Sequence, residues 1–328
     1  MEGRRTDTGI RLDGSSVRQR FYDASGVGRL DRNGGLILTW VEALHLLERG
    51  DIDTVDGLAF ADLLGRPPDE HALDRWLVYR DLRSRGFYVS MAYRPTAPPP
   101  VGSPTFNVRP RGEAPTSDAV AYRVVVVPEA EPVSLASLDD VTIAVADDEG
   151  EITYIGVEPA DPTGSTAVAS WDPPTGYRSG RRVVVPEPSA HMVDPSFFGS
   201  RLDDGPLLLN SLEARYLKET DRLNATVPPV NGPVDRRRTR VYSELRERGC
   251  VPRSGLKFGA DFRVYTDVTD ATDPGHSTLL VEVLPADATV SGRELSRAVR
   301  LAGGVRKRHV VALVDEEITW LAIERRRP

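Results

Sequence analysis

The chain has 328 residues, 40% hydrophobic and 28% charged, which is long enough for two domains with cores of their own and ordinary for a soluble globular protein. No apolar run approaches the roughly 20 residues of a membrane span, and the start Met1-Glu-Gly-Arg-Arg5 lacks the apolar stretch of a signal peptide. A cytoplasmic protein without membrane contact is expected. Cys250 is the only cysteine, which excludes an intrachain disulfide and a cysteine-rich zinc site. The net charge of −7 argues against nucleic-acid binding through the overall field of the chain.

In chain order, the elements occur twice. Gly28-Arg-Leu-Asp31 leads into Leu36-Ile-Leu-Thr-Trp-Val-Glu-Ala-Leu44, a Leu-rich segment with helical spacing around Glu42. A second helix is expected to run through Tyr79-Arg-Asp-Leu-Arg-Ser-Arg-Gly86, with glycine as its C-terminal stop. A Pro-rich insertion, Thr96 to Pro104, precedes Phe106-Asn-Val-Arg109. Then come the short Val133-Ser-Leu-Ala-Ser-Leu138, the acidic turn Asp147-Asp-Glu-Gly-Glu151 and Ile152-Thr-Tyr154.

After a Pro/Gly/Ser/Thr-rich seam near Ala160 to Gly176, the wording returns. Ser200-Arg-Leu-Asp203 precedes Leu207-Leu-Leu-Asn-Ser-Leu-Glu-Ala-Arg215, and Tyr242-Ser-Glu-Leu-Arg-Glu-Arg-Gly249 matches the earlier helix end. Phe262-Arg-Val-Tyr265 and Ile318-Thr-Trp320 complete the parallel. Strands are expected over Asp261–Thr266, Ser277–Leu284, Val310–Val314 and Ile318–Glu324. A helix is expected over Ser291–Ala302, with Ser291 and Glu294 as a capping box. The fold class is α/β with a mixed sheet. The expected domains are a degenerate copy (1–160), a linker (161–176) and a second copy (177–328), itself split into a small region (177–235) and a core (236–328).

Only the second copy carries a set of chemically active side chains. Gly255-Leu-Lys-Phe-Gly-Ala-Asp-Phe-Arg-Val-Tyr265, Pro274-Gly-His276-Ser277 and Arg300-Leu-Ala-Gly-Gly-Val-Arg-Lys307 supply a phenol, an imidazole and an ammonium from three separate segments. Aligning the copies sets Tyr265 opposite Arg109, His276 opposite Ala119 and Lys307 opposite Asp139. Basic residues also gather here, in Arg236-Arg-Arg238-Thr-Arg240, Arg306-Lys-Arg308 and Arg325-Arg-Arg327, which points to a phosphate track. Of 42 basic residues only Lys218, Lys257 and Lys307 are lysine, and two of these fall in the motif region. An ammonium differs from a guanidinium in shape and hydration, so these positions look selective.

The ordered motifs, spread through roughly residues 236 to 328, resemble the archaeal tRNA-splicing endonuclease family. The layout is similar to members in which one chain joins a pseudo-catalytic and an active half and the enzyme is a homodimer. The resemblance implies a restriction-nuclease-like core preceded by a smaller α/β region. It also implies cleavage of precursor tRNA at a bulge-helix-bulge, giving 2′,3′-cyclic phosphate and 5′-hydroxyl ends with no metal and no cofactor. Tyr265 would be the general base, His276 the general acid and Lys307 the stabiliser of the transition-state phosphate. Arg300, paired with Arg325, would grip a bulged base, since a guanidinium can stack on a base face. The acidic turn (Asp147, Asp148, Glu149 and Glu151) would dock into a partner copy and make the inactive half necessary for assembly.

Two rival readings come from other classes. A metal-dependent nuclease would want a Glu-x-Lys strand, and Glu282-Val-Leu284 lacks the lysine. A non-catalytic RNA-binding or assembly subunit is the stronger alternative, opposed by the complete set of Tyr265, His276 and Lys307.

Overall fold

The computed structural model describes residues 1–32, 34–203, 205–268, 270 and 275–328. Contacts divide the chain into unit 1 (Met1–Glu158, Thr289–Arg300 and Glu324–Pro328) and unit 2 (Pro159–Ala288 and Leu301–Ile323).

Unit 1 begins with β1 (Glu2–Thr6), β2 (Gly9–Leu12), β3 (Arg29–Leu30), β4 (Leu36–Leu38) and β5 (Thr54–Val55), a sheet in the order β3-β4-β2-β1-β5. Its helices are α1 (Trp40–Glu48), α2 (Phe60–Leu64) and α3 (Ala72–Ser84). The strands β6 (Val89–Met91), β7 (Phe106–Val108), β8 (Tyr122–Pro128), β9 (Pro132–Ser134), β10 (Val141–Ala146) and β11 (Ile152–Pro159) follow. They are ordered β11-β10-β8-β7-β6, with β9 outside that row.

Unit 2 has a comparable set of elements. β12 (Thr175–Ser179), β13 (Arg182–Val185), β14 (Ser200–Arg201), β15 (Leu207–Asn210) and β16 (Asn224–Ala225) form a sheet in the order β14-β15-β13-β12-β16. The helices α4 (Ala190–Val193), α5 (Ser211–Glu219) and α6 (Gly232–Glu247) accompany it. Next come β17 (Val251–Ser254), β18 (Phe262–Tyr265), β19 (Leu279–Pro285), β20 (Thr289–Ser291), α7 (Gly292–Gly304), β21 (Arg308–Val314) and β22 (Ile318–Arg325). The row here reads β17-β18-β19-β21-β22. The segments Thr289–Arg300 and Glu324–Pro328 pack within unit 1 although they lie late in the chain. There β20 pairs antiparallel with β9, Val290 facing Val133.

Registers match between the rows. Phe106 faces Val124, and Val124 faces Thr142; Phe262 faces Val281, and Val281 faces Val310. Counting from those partners sets Arg109 against Tyr265, Ala119 against His276 and Asp139 against Lys307.

The Leu-rich segments differ from the helical expectation. Leu36–Leu38 and Leu207–Asn210 are strands, and the helices begin one turn later, behind the caps Thr39 and Asn210. The physical reason is a capping box in each. Glu42 accepts from the Thr39 amide at 2.8 Å, and Glu213 accepts from the Asn210 amide at 2.9 Å, so each glutamate lies at the third helical position. The second helices stop as expected, at Gly86 (φ 85°) and Gly249 (φ 76°), left-handed positions that suit glycine.

The stretch from 160 to 174 is irregular but anchored. Gly164 and Thr166 amides donate to Arg248 and Gly249 carbonyls, and the Trp171 indole donates to Arg222 at 2.9 Å. Within unit 2, Arg246 of α6 ties that helix to the segment ahead of β14. Its buried guanidinium lies 4.1 Å from the Phe198 ring centroid and donates to the Ser196 carbonyl at 2.6 Å. Cys250 is buried beside it, and burial pushes its thiol up to about 11, so it is a packing residue.

Glu213 is 2% exposed and accepts from Gly199 (3.1 Å), Asn210 and Arg253 (3.0 Å). Glu213→Ala would take the acceptor from three donors, the Asn210 amide of the capping box among them. It should cost about 2–4 kcal/mol, read as a lower midpoint in urea unfolding; an unchanged midpoint would contradict this role.

Candidate active site

Strand direction gathers the three motif residues at one end of the unit 2 sheet. β18 runs antiparallel to β19, with Val264 opposite Leu279, and β19 runs parallel to β21, with Leu279 opposite Arg308. Tyr265 therefore ends β18 where β19 and β21 begin. His276 lies just ahead of β19, and Lys307 immediately precedes β21.

Each side chain has a different setting. In β18, Phe262 and Val264 enter the core, so the period of two turns Arg263 and Tyr265 to the opposite face. Tyr265 is 7% exposed and packs with Phe197, Val251 and Val268. His276 is exposed to solvent. Its neighbour Ser277 is buried and accepts a hydrogen bond from Lys307 Nζ at 2.5 Å. The Lys307 amide donates to Ala302 at 2.9 Å, and Arg308 donates to Thr278 at 2.9 Å. Arg306, at φ 55°, makes the left-handed reversal between α7 and β21. That conformation costs roughly 1–2 kcal/mol for an L-residue. Pro274, in the same motif as His276, lies outside the described residues.

Two residues beside this set, Arg263 and Phe258, were not singled out as chemical by sequence. The Arg263 guanidinium lies 5.9 Å from the Tyr265 ring centroid. The Phe258 ring has Lys257 Nζ at 4.8 Å and Lys307 Nζ at 5.5 Å. Lys307 is held below the usual lysine value, first by loss of hydration and then by the charges of Lys257 and Arg263. Arg263 had a readable signal, because it sits two positions from Tyr265 on a strand and so shares its face. Phe258 had none, since its approach to Lys307 joins segments 49 positions apart. Asp261 of the same turn accepts from the Val283 amide at 2.8 Å and pairs with Arg238 at 2.9 Å, fixing the entry to β18.

Arg300 and Arg325 fall in unit 1. Arg300 is exposed and donates to Thr153 Oγ1 at 3.4 Å. Of the terminal arginines, Arg326 is engaged, donating to Thr142 Oγ1 at 2.7 Å and pairing with Glu158, whereas Arg325 and Arg327 are exposed. The acidic turn joins β10 to β11. Asp147 Oδ1 accepts from the amides of Glu149 (3.1 Å) and Glu151 (2.8 Å), so Asp147 shapes the turn while Asp148, Glu149 and Glu151 are exposed.

The remaining histidines are absorbed by packing or lie on the surface. His45 is buried edge-on to Tyr79, and burial pushes it down to about 4. His309 is buried 3.4 Å from Glu282. Among the described residues no three His, Cys, Asp or Glu side chains come together to hold a metal ion, and no helix is long and apolar enough to cross a membrane.

Comparison with known proteins adds two kinds of match. A family model for the tRNA intron endonuclease catalytic C-terminal domain matches residues 236–320, and one for the tRNA intron endonuclease N-terminal domain matches residues 1–64. The chain is 44% identical to a tRNA-splicing endonuclease of Natronomonas pharaonis and 43% identical to one of Haloferax volcanii, in each case over 100% of both chains. It is 32% identical to a tRNA-splicing endonuclease of Methanococcoides burtonii over 93% of this chain and 94% of the relative.

The depressed lysine is open to direct test. In the intact protein the Lys307 ammonium should titrate below free lysine, followed by carbon NMR at Cε. Lys257→Ala should move the midpoint upward by removing a like charge; an unmoved midpoint would show that Lys257 does not act on it.

Proposed function

We propose a reaction for this chain from the premise that it belongs to the tRNA-splicing endonuclease family. The chain cleaves precursor tRNA at intron–exon junctions within a bulge-helix-bulge, leaving 2′,3′-cyclic phosphate and 5′-hydroxyl ends. The observation that carries this is the end of the unit 2 sheet, where a phenol, an imidazole and an ammonium emerge from neighbouring strand ends.

The chemistry assigns one task to each group. Tyr265, as the general base, takes the proton of the 2′-hydroxyl, whose oxygen attacks the adjacent phosphorus. Lys307 offsets the negative charge that builds on the non-bridging oxygens. Its hydrogen bond to Ser277 fixes the side chain that must do so, which lowers the cost of reorganisation at the moment of reaction. His276 gives a proton to the departing 5′-oxygen, and its exposure leaves it open to the leaving strand. The P–O5′ bond breaks as the P–O2′ bond forms, so no water and no external group enters the balance.

The rest of the reading concerns assembly. The matching strand orders and registers support a duplicated unit whose first copy has lost the active groups. Arg109 stands where the second copy has Tyr265 and is spent on structure, donating to the Ser117 carbonyl (2.6 Å) and to Ser90 Oγ (3.0 Å). The first copy serves assembly. Asp148, Glu149 and Glu151 project from its turn to a basic pocket on a second copy of the chain, giving a homodimer. Arg300 holds a bulged base, with Arg325 as its partner; the engagement of Arg326 in unit 1 favours an exposed neighbour for that task.

The direct test is a bulge-helix-bulge RNA in EDTA. Wild type should yield cyclic phosphate ends, and His276→Ala should slow cleavage by about 10²–10⁴-fold. Intact RNA with both proteins would favour a non-catalytic RNA-binding subunit. For assembly, Asp148→Lys with Glu149→Lys should shift the protein toward monomer in sedimentation; an unaltered dimer would remove the turn from the interface.

A further inference from the structure

Tyr265 borders a cleft of about 820 Å³ that the proposed chemistry does not use. The volume falls in the range of small-ligand pockets, roughly 300–1,000 Å³, so it suits a short single strand and not a duplex. One wall is the small sheet of unit 2, with Arg182 at the start of β13 and Arg201 at the end of β14. The other is the face of β17 and β18 that carries Arg253, Arg263 and Tyr265.

The charges in this cleft do not cancel. Arg253 is spent, donating to Gly199 and paired with Glu213 at 3.0 Å. Arg182 and Arg201 are exposed and, like Arg263, form no ion pair among the described residues. Arg263 Nε is buried with no hydrogen-bond partner. Against these three cations the lining holds one further carboxylate, the exposed Asp203. Guanidinium groups bind phosphate through paired N–H donors.

We infer that this cleft holds the phosphodiester backbone of the substrate strand on the 5′ side of the cleavage position, with Arg182, Arg201 and Arg263 as its phosphate contacts. The direction follows from which active group borders it. Tyr265 lines the cleft, whereas His276 and Lys307 do not. Tyr265 serves the nucleotide that supplies the 2′-hydroxyl, and that nucleotide continues upstream; the leaving 5′-oxygen continues downstream, toward His276. The inference rests on the proposed endonuclease reaction and adds to it a track for the upstream strand on the small sheet.

The test uses the full chain and a fluorescent bulge-helix-bulge RNA made uncleavable by 2′-deoxy sugars at the cut positions. Three RNAs are compared: fully charged, with two uncharged methylphosphonate linkages just upstream, and with two just downstream. Arg182→Ala with Arg201→Ala should weaken binding of the charged RNA by roughly 10- to 100-fold, as for two lost charge-assisted contacts. It should lower the salt slope by about 1.4, at 0.7 per single-strand contact. On the upstream-neutralised RNA the same double variant should lose almost nothing, while on the downstream-neutralised RNA it should lose as much as on the charged one. With cleavable RNA, KM should rise and kcat stay within about two-fold, since neither residue touches the reacting atoms.

Equal losses on all three RNAs, or none on any, would overturn the track. Both residues are exposed, and an unchanged circular dichroism spectrum and melting point would establish folding. Wild type that neither binds these RNAs nor cuts the cleavable one would overturn the endonuclease reading and the track together. Wild type that cuts normally beside an indistinguishable double variant would overturn the track alone.

Discussion

The parallel pairing of β19 with β21 is the constraint on which the candidate site depends. Parallel strands start at the same end of a sheet, so the residues just before each become neighbours however far apart they lie in the chain. Leu279 opposite Arg308 therefore brings the approach to β19, with His276, beside the approach to β21, with Lys307. The antiparallel step to β18 adds the opposite kind of terminus, so Tyr265 arrives at that end as a strand finishes. A return between parallel strands needs a long crossover, and α7 supplies it.

The same topology sets the two similar rows of strands apart. In unit 1, β8 and β10 are also parallel, but their connection holds only β9 and a short turn from Leu135 to Ser137. The Arg109 guanidinium at the equivalent strand end ties down Ser117 and Ser90. Unit 1 instead takes in Thr289–Arg300, and β20 pairs with β9. A long helix on one crossover and a short turn on the other fit that arrangement.

Charge is distributed to match. The chain is acidic overall, yet around Lys307 stand Lys257 and Arg263, and the cleft beside Tyr265 keeps more cations than carboxylates. Lost hydration first, and then the like charges of Lys257 and Arg263, weaken the hold of Lys307 on its proton. Local fields of this kind govern where a phosphate settles, and net charge does not.

Much of this was legible in the sequence alone. Capping pairs, helix-stopping glycines and β-branched runs are local, so they identified α7 with its Ser291–Glu294 cap, the ends at Gly86 and Gly249, and the strands around Tyr265 and Lys307. The chain also named the phenol, imidazole and ammonium, because residue type is chemistry that no fold can change. Local signals misled at Leu36–Leu38 and Leu207–Asn210, where apolar runs of that length fit a strand as well as a helix. What only the tertiary structure decided was company: Phe258 beside Lys307, the charges of Lys257 and Arg263 near Lys307, and Arg326 committed to Thr142 and Glu158 while its neighbours stay exposed. Those contacts depend on which strands adjoin and in what register, and such pairings are set by burial across the whole sheet, which no short window of sequence contains.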